Sequence, residues 1–198
     1  MLTIAGVGPG NPKYLTLDVI LAMGQSKKIL GFSRVARSLS SLNPNIIEIN
    51  RVDEVLNFIK DGQDILLLAS GDPNFYGIVE YIKSKGVEIK EVLPGLSSFQ
   101  YFMAKLKKSW NNAQFLSLHG RGGDLSKVKN NRLTIILTDK EHSPSYISKE
   151  LKRLEIKGKI YVGFNLSYED ETIFVKDIGD DIKNISSLAV VVIENEMD

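Results

Sequence analysis

The first half of the chain alternates short apolar segments with amphipathic helical patterns, and this alternation constrains the fold more than any other feature. Helical patterns cover residues 17–23, with Thr16 as the N-cap, and residues 75–85. Strands that alternate with helices pair in parallel through right-handed crossovers. The N-terminal half is therefore predicted to form an open, mostly parallel α/β sheet. Its five strand-like segments are residues 2–5, 28–31, 46–49, 65–69 and 87–93.

The second half continues with strands but has fewer helices. A helix is predicted from Ser143, as N-cap, and Pro144, in the first turn, to Leu154. Only a short segment that contains Asp and Gly separates the last two strands, which favours a mixed, partly antiparallel sheet. The strand-like segments are 115–118, 133–137, 159–164, 172–176 and 188–193.

A polar stretch over residues 105–112 is the best candidate for a linker between these halves. The sequence therefore predicts two α/β domains, residues 1–109 and 110–198, with a ligand cleft between them. The lone Trp110 is expected to pack at their junction.

Composition excludes several classes of function. The chain has 198 residues, no cysteine and two histidines, so disulfides, thiol nucleophiles and Cys-based metal sites are excluded, and a His-rich metal site is not expected. A net charge of +1 argues against a nonspecific nucleic-acid binder. No apolar run approaches the roughly 20 residues of a membrane span, and no charged leader precedes the first strand, so a cytoplasmic protein is expected.

Small, turn-forming and polar residues cluster just after six of the predicted strands. In open α/β sheets ligands bind at the carboxyl ends of the strands. Any one such loop is explained by the glycine and proline that turns require, but the six together favour a ligand site. They cover residues 6–11, 69–73, 93–98, 118–123, 137–139 and 165–168.

The first of these loops does not match the common nucleotide-binding motifs. A dinucleotide fingerprint needs a glycine at position 11, where the chain has Asn11, and Pro9 occupies an internal position. No Gly-Lys-Ser/Thr sequence is present for a triphosphate loop. What Gly8, Pro9 and Gly10 offer is a rigid loop without bulky side chains, against which a large flat molecule could lie.

Several polar residues in these loops have two interpretations. Asp72 could accept hydrogen bonds from a ligand amine or hydroxyl, or it could cap a helix that starts near Phe75. One of Ser97 and Ser98 is expected to be the N-cap of the following helix. His119 and Arg121 lie in a glycine-rich loop, where a site residue is expected more often than a core histidine.

Three of the motifs in order resemble the tetrapyrrole methylase family, the S-adenosylmethionine-dependent methyltransferases of corrin and sirohaem synthesis. They are GVGPGNPKYLT at residues 6–16, SGDP at 70–73 and PGLSS at 94–98. Further segments, at 117–121, 137–139 and 165–168 followed by Glu171, resemble the branch that methylates carbon 5 of a (cobalt-)precorrin in cobalamin synthesis. Phe164 departs from that branch, where an acidic residue is expected before Asn165.

The resemblance implies the family's two-domain fold, a bound S-adenosylmethionine as methyl donor, a tetrapyrrole substrate, no protein-bound metal and a homodimer. It also implies that methylation at carbon 15 and decarboxylation belong to a separate enzyme, because the chain ends at Asp198 without a second methyltransferase domain. The tetrapyrrole is expected over Gly8, Pro9 and Gly10, with Tyr14, His119 and Arg121 at its rim. The residues that match cofactor contacts in the family are Pro9, Ser70, Gly71, Asp72, Phe75, Ser97, Ser98 and Leu137.

Methyl transfer from a sulfonium requires mainly alignment and desolvation. His119 is the one candidate acceptor for a proton released after transfer. Basic side chains are expected near a carboxylate-rich substrate, and the candidates are Arg34, Arg37, Lys105, Lys107, Lys108 and Arg121. Two alternatives stay open at this point: a methylase of the same fold acting at another tetrapyrrole position or on a substrate such as ribosomal RNA, and a noncatalytic ligand-binding module.

Overall fold

The computed structural model describes residues 1–59, 63–118 and 123–197. The chain divides into two compact units, 1–98 and 99–198. The sequence places the boundary later, between 109 and 110. The helix that begins at Ser98 accounts for the difference, because Phe99 contacts the rings of Trp110 and Phe115 in the second unit.

The first unit is a parallel five-stranded sheet with helices between its strands, as predicted. Along the sheet the order is β3-β2-β4-β1-β5, and every pair is parallel. The strands are β1 (Leu2–Gly6), β2 (Ile29–Phe32), β3 (Ile47–Ile49), β4 (Ile65–Ala69) and β5 (Ile89–Leu93). The helices are α1 (Leu17–Gln25), α2 (Ser33–Leu39), α3 (Val52–Ile59) and α4 (Ile78–Ser84), with a 3-10 turn at Pro12–Tyr14.

Apolar side chains cover both faces of this sheet. Successive residues of a strand point to opposite faces, and β4 is buried along its whole length. Leu67 packs with Ile4 in one core cluster, whereas Leu66 and Leu68 pack in a second cluster with Ala5. This double burial is why β4 appears in the sequence as a continuous apolar run rather than an alternating one.

The helix starts of the first unit are set by local contacts. The Thr16 hydroxyl accepts a hydrogen bond from the Val19 N–H, which confirms Thr16 as the N-cap of α1. In contrast, α4 begins at Ile78, later than the pattern predicts, with Gly77 at its N-cap. A Cβ on Gly77 would lie 2.3 Å from the Pro73 carbonyl oxygen, so only glycine allows this approach.

The second unit contains a mixed five-stranded sheet of order β6-β7-β10-β8-β9. The pair β6–β7 is parallel and the other pairs are antiparallel, which confirms the mixed sheet. The last two strands lie on either side of β8 and do not pair with each other. The elements are α5 (Ser98–Leu106), β6 (Gln114–Ser117), β7 (Leu133–Leu137), α6 (Pro144–Arg153), β8 (Gly158–Phe164), β9 (Thr172–Asp177) and β10 (Ala189–Asn195), with a 3-10 segment at Leu125–Asn130.

The core of the second unit forms around its central strands. Val162, Phe164 and Val191 are fully buried in one cluster with α6, which begins at Pro144 after the predicted N-cap Ser143. Phe164 stands where the resemblance predicts an acidic residue, and it packs against Phe174 instead. Within the described residues, no helix is both long enough and apolar enough to cross a membrane.

Candidate functional site

Three of the predicted ligand loops follow neighbouring strands of the first sheet. The loops follow β1, β4 and β5, and in the sheet β1 lies between β4 and β5. Because all three strands are parallel, their carboxyl ends share one edge of the sheet. Loops that lie far apart along the chain are therefore brought together at this edge.

Glycine backbones make the direct contact between the three loops. Gly71 N–H donates to the Gly8 carbonyl at 2.8 Å, and Gly8 N–H donates to the Gly71 carbonyl at 3.3 Å. A Cβ on Gly6 would lie 2.6 Å from Gly95 N, and a Cβ on Gly95 would lie 2.3 Å from Gly71 O. We call this contact of Gly6, Gly71 and Gly95 the glycine junction. No side chain fits inside it, so the edge of the sheet is lined there by backbone groups.

The conformation of the first loop is set by its own glycines and by Asn11. Gly8 and Gly10 have φ values of 78° and 147°, which side chains strongly disfavour. The Asn11 side chain accepts a hydrogen bond from Lys13 N–H and begins the 3-10 turn that ends at Tyr14. The backbone of Tyr14 lies against Gly8, where its carbonyl oxygen would be 3.3 Å from an added Cβ. The structure therefore brings Gly8 and Tyr14 together, and Pro9 and Gly10, which lie between them in the sequence, are half-buried.

Asp72 does not cap a helix. Its Oδ1 accepts a hydrogen bond from the Asn74 N–H at 2.8 Å and closes a local turn well before α4 begins at Ile78. The helix-cap interpretation is therefore wrong. The other carboxylate oxygen, Oδ2, has no partner among the described residues, and the side chain is half-buried. A half-buried carboxylate oxygen at the glycine junction can accept a hydrogen bond from a ligand amine or hydroxyl.

The other predicted cofactor residues of the first unit lie on the same loops. Ser70 is exposed directly after β4, and Phe75 is half-buried and packs edge-on against Tyr76. Ser97 is 4% exposed and immediately precedes α5, whose first residue is Ser98. Ser97 thus occupies the N-cap position that the sequence predicts for one of these two serines.

Leu137 and its neighbours lie at the carboxyl end of β7 in the second unit. Leu118 N–H donates to the Leu137 carbonyl at 2.9 Å, and the Thr138 hydroxyl donates to the Ala189 carbonyl at the start of β10. The Asp139 carboxylate accepts from the backbone N–H of His142 and lies 3.0 Å from His142 Nδ1. His142 is therefore tied to the end of this strand.

The 165–171 turn follows β8 and has an unusual backbone. Asn165 and Ser167 both have left-handed φ values, 47° and 73°, although neither is glycine. Asn165 Nδ2 donates to Asp170 Oδ2 at 2.7 Å, and Ser167 N–H donates to Glu171 Oε2 at 2.7 Å. Its own side chains therefore hold the turn in a conformation that few residues adopt.

Glu171 links this turn to α5. Lys105 Nζ lies 3.3 Å from Glu171 Oε1, and the Tyr101 hydroxyl also donates to the carboxylate. Burial opposes the charged form of Glu171, but the hydrogen bonds from Tyr101, Ser167 N–H and Lys105 outweigh it and leave the pKa of Glu171 below its ordinary value. Burial and the adjacent carboxylate raise the pKa of Tyr101 to about 12. Nothing in the sequence pattern joins Tyr101 to Glu171, because the two residues lie far apart along the chain.

The basic residues expected near an anionic substrate are not equally available. Arg34, Arg37 and Lys107 are exposed. Lys105 is paired with Glu171 and Lys108 with Glu194, so their charges are already matched. His119 and Arg121 lie outside the described residues. Among residues 1–59, 63–118 and 123–197, no group of three His, Asp or Glu side chains could hold a metal ion.

The chain is similar in sequence to methylases of tetrapyrroles. The family model for tetrapyrrole (corrin/porphyrin) methylases matches residues 1–180. A probable cobalt-precorrin-7 C(5)-methyltransferase of Methanocaldococcus jannaschii is 30% identical over 195 residues, which cover 90% of this chain and 90% of that protein.

Solved structures show the same fold. A cobalamin-biosynthesis precorrin-6Y methylase from Archaeoglobus fulgidus superposes with a TM-score of 0.79 at 19% identity and covers 100% of this chain and 99% of its own. A uroporphyrin-III C-methyltransferase from Thermus thermophilus, solved with S-adenosylhomocysteine, gives a TM-score of 0.78 at 20% identity over 97% of this chain and 96% of its own.

Proposed function

The chain belongs to the tetrapyrrole (corrin/porphyrin) methylase family, and from this premise we propose that it transfers a methyl group from S-adenosylmethionine to carbon 5 of a cobalt-precorrin in cobalamin synthesis. The choice of carbon 5 is supported by the similarity over 90% of both chains to the C(5)-methyltransferase of Methanocaldococcus jannaschii. The choice of cofactor is supported by the family and by the Thermus thermophilus methyltransferase that was solved with S-adenosylhomocysteine.

The glycine junction is the observation that carries the proposal. It places backbone that carries no side chain, and the carboxylate oxygen Asp72 Oδ2 as an acceptor, at the carboxyl edge of a parallel sheet. S-adenosylmethionine carries an ammonium group and ribose hydroxyls that can donate to such acceptors. The residues of the first unit therefore fit this cofactor, and those that would hold it are Pro9, Ser70, Gly71, Asp72, Phe75, Ser97 and Ser98. Leu137 is proposed as a further contact, as the resemblance implies.

S-adenosylmethionine supplies an activated methyl group on a sulfur that leaves as a neutral thioether. The chain then has to bind the two reactants, align them and exclude water from them. Positioning alone can lower the activation free energy by about 7–11 kcal/mol. Gly8, Pro9 and Gly10 would present a flat surface to the tetrapyrrole, with Tyr14 at its rim. The new carbon–carbon bond forms as the carbon–sulfur bond breaks, and a proton leaves the methylated carbon. We retain His119 as its proposed acceptor and Arg121 as a proposed contact for a substrate carboxylate.

Incubation of the chain with methyl-labelled S-adenosylmethionine and cobalt-precorrin-7 tests the proposal, with the transferred methyl located by mass spectrometry and NMR. The expected product carries the label at carbon 5. A label at another ring position would overturn the choice of carbon 5 and leave the proposed methyltransferase activity standing. A thermal shift provides the first control, because a ligand at 100 times its dissociation constant stabilises a protein by about 2.7 kcal/mol. S-adenosylhomocysteine should give this shift and NAD should not.

A homodimer is also proposed, as the resemblance implies. Leu17, Ile20 and Leu21 are 69%, 47% and 51% exposed, and their spacing places them on one face of α1. Exposed apolar residues that are contiguous favour a protein contact. Light scattering should therefore give a mass near twice that of the single chain, and the mass of one chain alone would contradict the proposal.

A further inference from the structure

The 165–171 turn, in which Leu166 and Ser167 are buried, is held by several side-chain interactions. Two of its non-glycine residues are left-handed, and strain of this kind persists only where neighbouring groups determine the backbone. The Ser167 N–H donates to the carboxylate of Glu171, whose side chain is only 17% exposed. Tyr101, which is 6% exposed, and Lys105 hold that carboxylate from α5. Side chains of another element, α5, therefore hold the carboxylate that in turn holds the Ser167 N–H.

The turn lies at the same edge of the second sheet as Leu137. β7 and β8 both run antiparallel to β10, which lies between them, so their carboxyl ends share one edge. Thr138, after β7, donates to the Ala189 carbonyl, and Asn165 N–H donates to the carbonyl of the preceding residue, Leu188. Two strand spacings, about 10 Å, separate Leu137 from Asn165 across this edge. Leu137 is the residue of the second unit that is proposed to contact the cofactor.

We propose that Glu171 is a positioning residue for cofactor binding, which acts by holding the 165–168 backbone in its strained conformation beside Leu137. The inference rests on the proposed function, because it requires that the edge bearing Leu137 binds S-adenosylmethionine. Glu171 itself is not proposed to touch the cofactor. Its carboxylate fixes the Ser167 N–H, and Tyr101 and Lys105 fix the carboxylate. A turn that is already in its binding conformation does not have to be ordered when the ligand arrives.

A second cluster of the same chemistry provides a matched control within the same unit. Lys108 Nζ lies 2.9 Å from Glu194 Oε2, and the Tyr161 hydroxyl donates to the same oxygen at 2.8 Å. Glu194 pairs in register with Leu133 and Lys159, at the amino ends of β7 and β8. The cluster of Lys108, Tyr161 and Glu194 therefore lies at the opposite edge of the sheet from Leu137. Its loss should affect stability without affecting the ligand edge.

The experiment measures the dissociation constant of S-adenosylhomocysteine by calorimetry on the full chain, together with thermal unfolding of each variant. Glu171→Ala should weaken binding roughly tenfold, equivalent to about 1.4 kcal/mol. Glu171→Gln should recover most of the affinity, because the amide oxygen can still accept from Ser167 N–H. Tyr101→Phe, which removes only the hydroxyl, should weaken binding in the same direction. Glu194→Ala should lower the melting temperature and leave the affinity unchanged.

The outcomes separate the inference from the proposed function. A wild-type chain that does not bind S-adenosylhomocysteine would overturn the proposed function and, with it, the inference. A wild-type chain that binds, with equal affinity in Glu171→Ala and Tyr101→Phe, would overturn the inference alone. Equal losses of affinity in Glu171→Ala and Glu194→Ala would also overturn it, because they would reflect general destabilisation. Should Glu171→Ala fail to fold, Tyr101→Phe supplies the comparison with Tyr161→Phe as its control.

Discussion

Substitution of Gly95 by alanine tests whether the glycine junction is what holds the three loops together. A Cβ at this position would lie 2.3 Å from Gly71 O, 2.6 Å from Gly6 C and 2.6 Å from Gly6 O. All three neighbours are backbone atoms of other loops, so no side chain can rotate away to make room. Gly95 does not have a left-handed φ, so the substitution tests steric contact and not backbone conformation. The loops after β1, β4 and β5 must separate to accept the methyl group.

The expected cost follows from this geometry. Overpacking of a well-packed interior costs about 1–3 kcal/mol, and rigid backbone neighbours place Gly95→Ala in the upper half of that range. A loss of about 2 kcal/mol lowers the melting temperature of a domain the size of the first unit, residues 1–98, by roughly 8–16 °C. Because Gly71 belongs to the proposed cofactor loop, binding of S-adenosylhomocysteine should also weaken. Differential scanning calorimetry and isothermal titration measure the two effects separately.

Two other glycines serve as controls for this measurement. Gly24 lies in α1, where an added Cβ meets no atom within 4 Å, so Gly24→Ala should stabilise the chain by about 0.5–1 kcal/mol. Gly86 is equally open but has a φ of 72°, so Gly86→Ala should cost about 1 kcal/mol through strain alone and leave ligand binding unchanged. A Gly95→Ala variant that melts within a few degrees of the wild type and binds S-adenosylhomocysteine equally well would show that the glycine junction does not hold the loops together.

Three further predictions concern single side chains. The raised pKa of Tyr101, about 12 against 10.0 when unfolded, means that its contribution to stability is present below pH 10 and is lost as the pH rises toward 12. Unfolding followed across this range should show a loss that is absent in Tyr101→Phe, and identical profiles would contradict it. Ser148→Ala removes the bonds to Asp180 O and Gly179 N in a fully buried site and should cost about 1–3 kcal/mol in denaturant unfolding, and no loss would refute this role. His119→Ala should lower turnover more than it weakens substrate binding; unchanged turnover with weaker binding would rule out a proton acceptor there.

Local features of the fold are predictable from the sequence because short-range interactions determine them. Thr16 and Ser143 both begin helices, and each hydroxyl accepts the N–H three residues ahead. The parallel sheet of the first unit follows from the alternation of apolar segments and helices. The order of the strands in this sheet cannot be predicted in the same way, because no local feature of the sequence indicates that β1 lies between β4 and β5. This strand order brings the loops after β1, β4 and β5 into contact at the glycine junction.

The incorrect prediction that Asp72 caps a helix also has a local cause. Asp72 precedes a helical pattern closely enough to indicate a cap, but Gly77 approaches the Pro73 carbonyl and delays α4 to Ile78. The carboxylate is then used in a turn with Asn74 instead. The sequence pattern shows that Asp72 is a residue type that caps helices. It does not show the close approach of Gly77 to the Pro73 carbonyl, which moves the helix start away from Asp72.

The two Lys-Glu-Tyr clusters show why long-range side-chain contacts are harder to infer than loops. Lys105 and Lys108 lie close together in the sequence and both are candidates for binding an anionic substrate, yet each is neutralised by a different glutamate. Their partners, Glu171 and Glu194, lie at opposite edges of one sheet, and Glu171 holds the 165–171 turn at the edge that bears Leu137. The chemistry of the two clusters is the same, so composition and spacing cannot distinguish them. Their position relative to the carboxyl ends of β7 and β8 is what gives one a proposed role in ligand binding and leaves the other to stability.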